Sequence, residues 1–142
     1  MTISQPDPRA ILEKSSLLVS RDEVKASVSR MAEQINEYYG ETQLILLIVM
    51  TGAVMPAAWL ASRLTMPMEM DFVHASRYAG ATEGGAIDFR GPPRLTLQDQ
   101  DVLIVDDIYD IGLTLEMIEN YCVSRAARSV NSAVLVRKIH DR

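Results

Sequence analysis

The sequence contains a single cysteine, no long apolar run and fewer basic than acidic residues, and each shortage excludes a class of protein. Cys122 has no second cysteine in the chain, so the fold cannot depend on an internal disulfide. No window approaches the roughly eighteen uninterrupted apolar residues of a membrane span. A net charge of -5 argues against nonspecific nucleic-acid binding, because such binding needs Lys and Arg to neutralise phosphates.

The composition is that of an ordinary globular protein. Hydrophobic residues make up 48% and charged residues 23% of the 142 residues, and we expect one domain spanning residues 1–142. Residues 1–20 lack the basic start and apolar core of a secretory signal, so we expect a cytoplasmic protein. Cys122 lies on an apolar helix stripe, where a buried and inert thiol is expected.

Strands and helices alternate along the chain. Ser20 and Glu23 form a capping box, which predicts an amphipathic helix that ends near Gly40. A strand with one less buried face is predicted at residues 68–73, and buried strands are predicted at residues 44–49, 102–105 and 130–136. Further helices are predicted at residues 54–64 and 114–126. This alternation predicts an α/β fold, a parallel sheet with helices on both faces.

Residues 78–93 hold four of the seven glycines of the chain. Glycine tolerates many backbone conformations, so this composition predicts either a long mobile loop or a loose hairpin.

The segment from Val102 to Thr114, VLIVDDIYDIGLT, carries the strongest functional signal. Four apolar residues predict a short buried strand that leads into an acidic loop and then a helix. The backbone N–H groups at Ile111 to Thr114 would point at a bound phosphate, and Gly112 lets the chain approach it closely. A solvated acidic turn before an N-capped helix remains the alternative.

Three aspartates in the same segment would repel a phosphate that carried no other groups. The conflict disappears if the ligand also carries hydroxyls or a magnesium ion, because carboxylates accept hydrogen bonds from hydroxyls and hard cations prefer oxygen ligands. A phosphorylated sugar satisfies both conditions. The aspartates are Asp106, Asp107 and Asp110.

The order of these residues resembles the phosphoribosyl-diphosphate (PRPP) motif of the type I phosphoribosyltransferases. The resemblance implies that Asp106 and Asp107 face the ribose hydroxyls and contact Mg²⁺ indirectly, through those hydroxyls or water. It also implies a phosphate loop formed by Asp110, Ile111, Gly112, Leu113 and Thr114. The family usually has threonine at the position of Ile111 and often a basic residue at that of Leu113. Phosphate binding here would therefore depend on the main chain and on Thr114.

Three other segments, residues 47–53, 69–78 and 133–138, are similar in order and spacing to hypoxanthine-guanine phosphoribosyltransferases. This resemblance implies purine salvage: transfer of the phosphoribosyl group from PRPP to hypoxanthine or guanine, forming IMP or GMP and pyrophosphate. Its partners would be PRPP, a 6-oxopurine base and further copies of the chain in a dimer or tetramer.

The same resemblance assigns the remaining site residues. Thr51 and Gly52 would bind pyrophosphate through their backbone N–H groups, in a turn that often contains a nonproline cis peptide in the family. Arg77 and Tyr78 would begin a flexible lid. Lys138 would donate to the exocyclic oxygen of the purine. Asp110 would be the catalytic residue beside the purine N7. The positions are those of Thr51, Gly52, Arg77, Tyr78, Asp110 and Lys138 in this sequence.

Family members continue beyond the position of Lys138, with a segment that supplies an aromatic platform for the purine and an acid near a second metal. We therefore expect an incomplete C-terminal hood, through removal of the segment, its omission from the sequence or natural shortening. Two alternatives to an enzyme stay open. One is an RNA-binding regulator resembling the pyrimidine-operon attenuation proteins, and the other is a noncatalytic nucleotide-binding or assembly module.

Overall fold

The structure, a computed structural model, describes residues 7–77 and 87–140. Within these residues lie four helices and five strands. The helices are α1 (Pro8–Glu13), α2 (Arg21–Tyr39), α3 (Val54–Ala61) and α4 (Leu113–Ser124). The strands are β1 (Leu44–Val49), β2 (Met68–Arg77), β3 (Ile87–Gly91), β4 (Asp101–Tyr109) and β5 (Ser129–Arg137).

The five strands form one sheet in the order β3-β2-β1-β4-β5. Strands β2, β1, β4 and β5 run parallel, and β3 runs antiparallel to β2. From β1 and β4 the chain crosses over in opposite directions along the sheet, to β2 and β5 respectively. Since such crossovers are right-handed, α3 and α4 cover opposite faces. The predicted fold class, a sheet with helices on both faces, is confirmed.

Local sequence explains the best-defined elements. The hydroxyl of Ser20 accepts a hydrogen bond from the N–H of Glu23, and the Glu23 carboxylate accepts one from the N–H of Ser20 over 2.7 Å. This capping box starts α2, and Gly40 ends it with a φ of 57°. The six apolar residues of β1 are all buried at the centre of the sheet.

The prediction of a short β4 is wrong. The strand continues through both acids to Tyr109, because β5 pairs with it along that length, from Asp101 opposite Ser129 to Tyr109 opposite Arg137. Asp106 and Asp107 therefore belong to the strand and not to a loop.

The prediction that residues 130–136 form a buried strand is also wrong in part. They lie in β5, but β5 is the edge of the sheet and is only partly buried. For residues 78–93 the hairpin alternative is found in the described part, where β3 pairs with β2.

Two further expectations concern burial and membranes. Cys122 is fully buried, and burial raises the pKa of its thiol to about 11, as expected for an inert cysteine. None of the helices in residues 7–77 and 87–140 is long and apolar enough to cross a bilayer.

Candidate active site

The C-terminal ends of parallel strands share one edge of a sheet, and the motif residues lie along that edge. A cavity of about 310 Å³ opens there. Its walls come from the end of β1, from β2 and from the whole stretch between the acids of β4 and the first turn of α4. The lining residues are Val49, Met50, Ala75 and residues 106–115.

The turn after β1 packs directly against β4. A Cβ atom built on Gly52 would overlap the carboxylate of Asp107, so only glycine allows this close approach. The peptide bond between Met50 and Thr51 is cis. The turn at Thr51 and Gly52 and the first acids of the motif are thus brought together, although more than fifty positions separate them in sequence.

Asp106 and Asp107 are adjacent residues whose carboxylates line the first cavity. Burial raises the pKa of Asp106 to about 6, and the neighbouring Asp107 carboxylate adds to the rise. The N–H of Asp107 donates to Asp106 over 2.9 Å, which partly offsets it.

Gly112 shapes the turn between β4 and α4. Its φ of 81° lies in the left-handed region, and a Cβ atom there would overlap the ring and hydroxyl of Tyr109. No side chain caps α4. Within the described residues, the N–H groups of residues 111–114 donate to no protein acceptor. Four free donors at the positive end of a helix dipole form a site suited to an anion.

Asp110 is the last acid of the motif. Its carboxylate contacts the side chains of Lys138 and His140, which follow β5. Its Oδ2 lies 3.4 Å from the Lys138 ammonium, and its Oδ1 lies 2.8 Å from Nε2 of His140. Partial burial raises the pKa of Asp110, but His140 and Lys138 outweigh this effect and hold the pKa below the ordinary aspartate value. Asp110 therefore carries its charge at neutral pH.

A second cavity, of about 510 Å³, adjoins the first. Tyr109, Asp110 and Ile111 line both of them. The other walls of the second cavity are residues 137–140. The Lys138 N–H donates to the carbonyl oxygen of Tyr109 over 2.9 Å, which fixes the backbone of this wall against β4. Asp110 thus lies between two cavities. One is lined by four free N–H donors, and the other is lined by a lysine.

The sequence of residues 19–142 matches the family model of the phosphoribosyl transferase domain. The match covers nearly the whole chain and includes every residue of the two cavities. The chain belongs to the phosphoribosyl transferase domain family.

Named relatives of this phosphoribosyl transferase domain include two hypoxanthine-guanine phosphoribosyltransferases. The protein of Mycobacterium bovis is 31% identical over 130 residues, which cover 87% of this chain and 64% of the relative. The protein of Staphylococcus epidermidis is 30% identical over 128 residues, which cover 89% of this chain and 72% of the relative. The chain thus spans 64% of the length of its mycobacterial relative.

Solved structures agree with the fold. The hypoxanthine-guanine phosphoribosyltransferase of L. donovani superposes with a TM-score of 0.81 at 28% identity, over 90% of this chain and 75% of that one. A hypoxanthine phosphoribosyltransferase from Staphylococcus aureus gives a TM-score of 0.84 at 22% identity, over 94% and 73%. The type I phosphoribosyltransferase architecture is therefore established for this chain.

Two predictions, the lid and the contact with magnesium, are not tested by this geometry. Arg77 is the last residue of β2 and pairs with Ile87, while Tyr78 falls outside the described residues. Across residues 7–77 and 87–140, no three His, Cys, Asp or Glu side chains are grouped to hold a metal ion by themselves. The expected contact with magnesium was an indirect one, made through the ligand.

Sequence reasoning missed two neighbours of the motif. Tyr109 occupies the space beside Gly112, and His140 contacts Asp110. The only available signal for His140 was its position, two residues beyond Lys138 on the same sheet edge.

Proposed function

We propose that this chain is the PRPP-binding and purine-binding part of a purine salvage enzyme. It would transfer the 5-phosphoribosyl group of PRPP to hypoxanthine or guanine, forming IMP or GMP and releasing pyrophosphate. The position of Asp110 carries the proposal, because this charged carboxylate separates a cavity with four free N–H donors from one with a lysine. We propose further that the enzyme is cytoplasmic and forms a dimer or tetramer.

The first cavity suits PRPP. The 5-phosphate would accept hydrogen bonds from the main chain of residues 111–114 and from the hydroxyl of Thr114. Asp106 and Asp107 would accept hydrogen bonds from the ribose hydroxyls. The pyrophosphate would lie toward Thr51 and Gly52, since Gly52 packs closely against the carboxylate of Asp107 and Asp107 lines that cavity.

The carboxylates also fit a magnesium ion that arrives with the substrate. Mg²⁺ prefers oxygen donors and is usually bound by one or two carboxylates together with substrate phosphates. Asp106 and Asp107 would hold it through ribose hydroxyls or water. When bound, the ion would neutralise part of the charge on the departing pyrophosphate.

The second cavity suits a 6-oxopurine. The Lys138 ammonium has three donors and no acceptor, so it would bind the carbonyl of hypoxanthine or guanine and not the amino group of adenine. Asp110 would accept the proton at the purine N7 while N9 forms its bond to the anomeric carbon. The bond from that carbon to the pyrophosphate oxygen breaks in the same reaction.

Lys138→Ala should weaken the binding of hypoxanthine and guanine by about tenfold or more and change PRPP affinity by less than about threefold. A hydrogen bond to a charged donor contributes about 1.5 to 3 kcal/mol, and this donor is assigned to the base alone. Titration calorimetry with each substrate in turn measures both affinities.

Lys25→Ala is the matched control for this variant. Lys25 is 51% exposed and lies 3.9 Å from Asp22, whereas Lys138 is 53% exposed and lies 3.4 Å from Asp110. The control should change neither affinity. Equal losses of base and PRPP affinity in Lys138→Ala would refute the assignment of Lys138 to the base.

Magnesium-PRPP affinity should fall as the pH drops below about 6. Above that pH Asp106 is ionised and accepts hydrogen bonds from ribose hydroxyls, and below it the carboxyl is protonated, because its pKa is raised to about 6. Titrations between pH 5 and 8 should show the fall in the parent protein. Asp106→Asn should bind weakly at every pH and keep only the part of the fall that comes from protonation of the 5-phosphate of PRPP itself, whose second pKa is about 6.

Stability gives an independent check on the same carboxylate. A pKa raised above the value of the unfolded chain means that stability falls as the pH rises from about 4 to about 6 and stays lower above it. Without ligand, Asp106→Asn should therefore melt at a higher temperature than the parent at pH 8. An unchanged melting temperature would contradict the raised pKa.

The decisive test of the function is nucleotide formation from PRPP with hypoxanthine, guanine, xanthine and adenine in turn. We expect IMP and GMP but no AMP. Binding of PRPP without any product, also in a version that covers the full length of the relatives, would favour the noncatalytic module. Salt-dependent RNA binding would favour the regulator, which the net charge of -5 and the enzyme names of the relatives disfavour.

A further inference from the structure

We infer that His140 is a positioning residue that orients the Asp110 carboxylate toward the purine. This inference rests on the proposed function, and it adds a residue to which no sequence motif assigns a role. It concerns the contact between Nε2 of His140 and Oδ1 of Asp110, which lie 2.8 Å apart, so that the imidazole N–H can donate to the carboxylate.

The two oxygens of Asp110 have different partners. Oδ1 is held by His140 over 2.8 Å, whereas Oδ2 has only the longer contact of 3.4 Å with Lys138. When Lys138 turns to a purine carbonyl, Oδ2 loses its partner and becomes available to the proton at N7. His140 remains in contact with Oδ1 while Lys138 moves to the purine, so the carboxylate stays oriented.

The contact does not require a charged imidazole. Nε2 carries a proton both in the imidazolium ion and in one neutral tautomer, so His140 can donate to Asp110 across the neutral pH range. The other charged or titratable side chains that line the two cavities around Asp110 are those of Tyr109, Arg137 and Lys138 on one side and Asp106 and Asp107 on the other. Of these five groups only Lys138 has a described ion pair with Asp110.

The hydrogen bond has a predictable effect on acidity. A donor that stabilises the ionised carboxylate lowers its pKa, and His140 is the largest of the effects that lower the pKa of Asp110. Removal of that donor should make Asp110 a stronger base that is less well oriented. Orientation and acidity can therefore be separated by a pH profile.

The kinetic test compares His140→Ala with His140→Gln in the nucleotide-forming reaction. His140→Ala should lower kcat about tenfold, leave the KM for PRPP within about twofold, and move the acid limb of the kcat profile to higher pH. His140→Gln can still donate from its amide and should recover most of the turnover and the original acid limb. The side chain is 52% exposed, so neither variant should disturb folding.

His74→Gln is the matched control, because His74 is the other histidine of the chain, lies in β2 and lines neither of the two cavities. It should leave kcat and the pH profile unchanged. Parent-like kcat and an unmoved acid limb in His140→Ala would overturn the inference. So would an equal loss in His140→Gln, since it would point to a need for imidazole chemistry instead of orientation.

A second measurement does not depend on activity. The imidazole nitrogens of the two histidines give separate signals in a long-range proton-nitrogen spectrum, and His140→Gln identifies the one from His140. Asp110→Asn should displace the His140 signal and leave that of His74 in place. Two unmoved signals would overturn the inference. If the parent forms no nucleotide, the proposed function fails, while this spectrum still decides whether His140 holds Asp110.

Discussion

Asp110→Asn should lower turnover by roughly 10²-fold or more while the fold and the affinity for magnesium-PRPP stay close to those of the parent. A positioned general base contributes about 10² to 10⁴ to a rate. Asparagine keeps the shape of the side chain, and its single amide oxygen can still accept a hydrogen bond from either His140 or Lys138, but it cannot take the proton from the purine N7. Initial rates at saturating PRPP and hypoxanthine measure the loss.

Asp22→Asn is the control, because Asp22 undergoes the same chemical change on the surface of α2, where its side chain is 95% exposed. It should retain full activity. Circular dichroism should give the same spectrum for the parent and both variants. If Asp110→Asn kept turnover within a factor of a few of the parent, Asp110 would not be the base, and the cavity between β4 and β5 would need another explanation.

Much of the fold follows from local sequence. The capping box at Ser20 and the continuous apolar run of β1 each determine an element through residues that lie next to one another in the chain. The alternation of helices and strands then leaves few arrangements of a parallel sheet, since crossovers have one hand. This is why the fold class could be predicted without any structure.

The errors occurred where long-range pairing decides the outcome. β4 extends through Asp106 and Asp107 because β5 pairs with it there, and carboxylates alone do not indicate a strand. β5 was expected to be buried on the basis of its apolar residues. It lies instead at an edge of the sheet, and burial at an edge depends on what packs beside it.

The site could be predicted in outline but not in its contacts. Asp110, Thr51 and Lys138 each follow a strand of the same parallel sheet, so their common edge follows from topology. The contact of His140 with Asp110 depends on how the chain turns after β5, and the packing of Gly52 against Asp107 depends on the turn after β1. Neither turn has a sequence pattern that fixes its direction.

Gly112→Val should reduce PRPP affinity by about 10²-fold or more. Its φ of 81° is strained for any residue with a Cβ and worst for a β-branched one, at a cost of about 1 to 3 kcal/mol. Relief of this strain requires the turn to move, and the same Cβ would also displace the end of the Tyr109 side chain. Movement of the turn redirects the N–H groups that would bind the phosphate, and each tenfold loss corresponds to about 1.4 kcal/mol.

Leu113→Ala distinguishes the contribution of the backbone to phosphate binding from that of the side chain. Leu113 offers a phosphate only its main-chain N–H, and alanine keeps that donor, so this variant should bind PRPP within about threefold of the parent. Titration in magnesium measures both variants after circular dichroism shows that each is folded. A loss confined to Gly112→Val means that the geometry of the main chain makes the phosphate site. PRPP binding by Gly112→Val at parent affinity would mean that the phosphate binds elsewhere, because no loop with a moved backbone could keep all four donors in place.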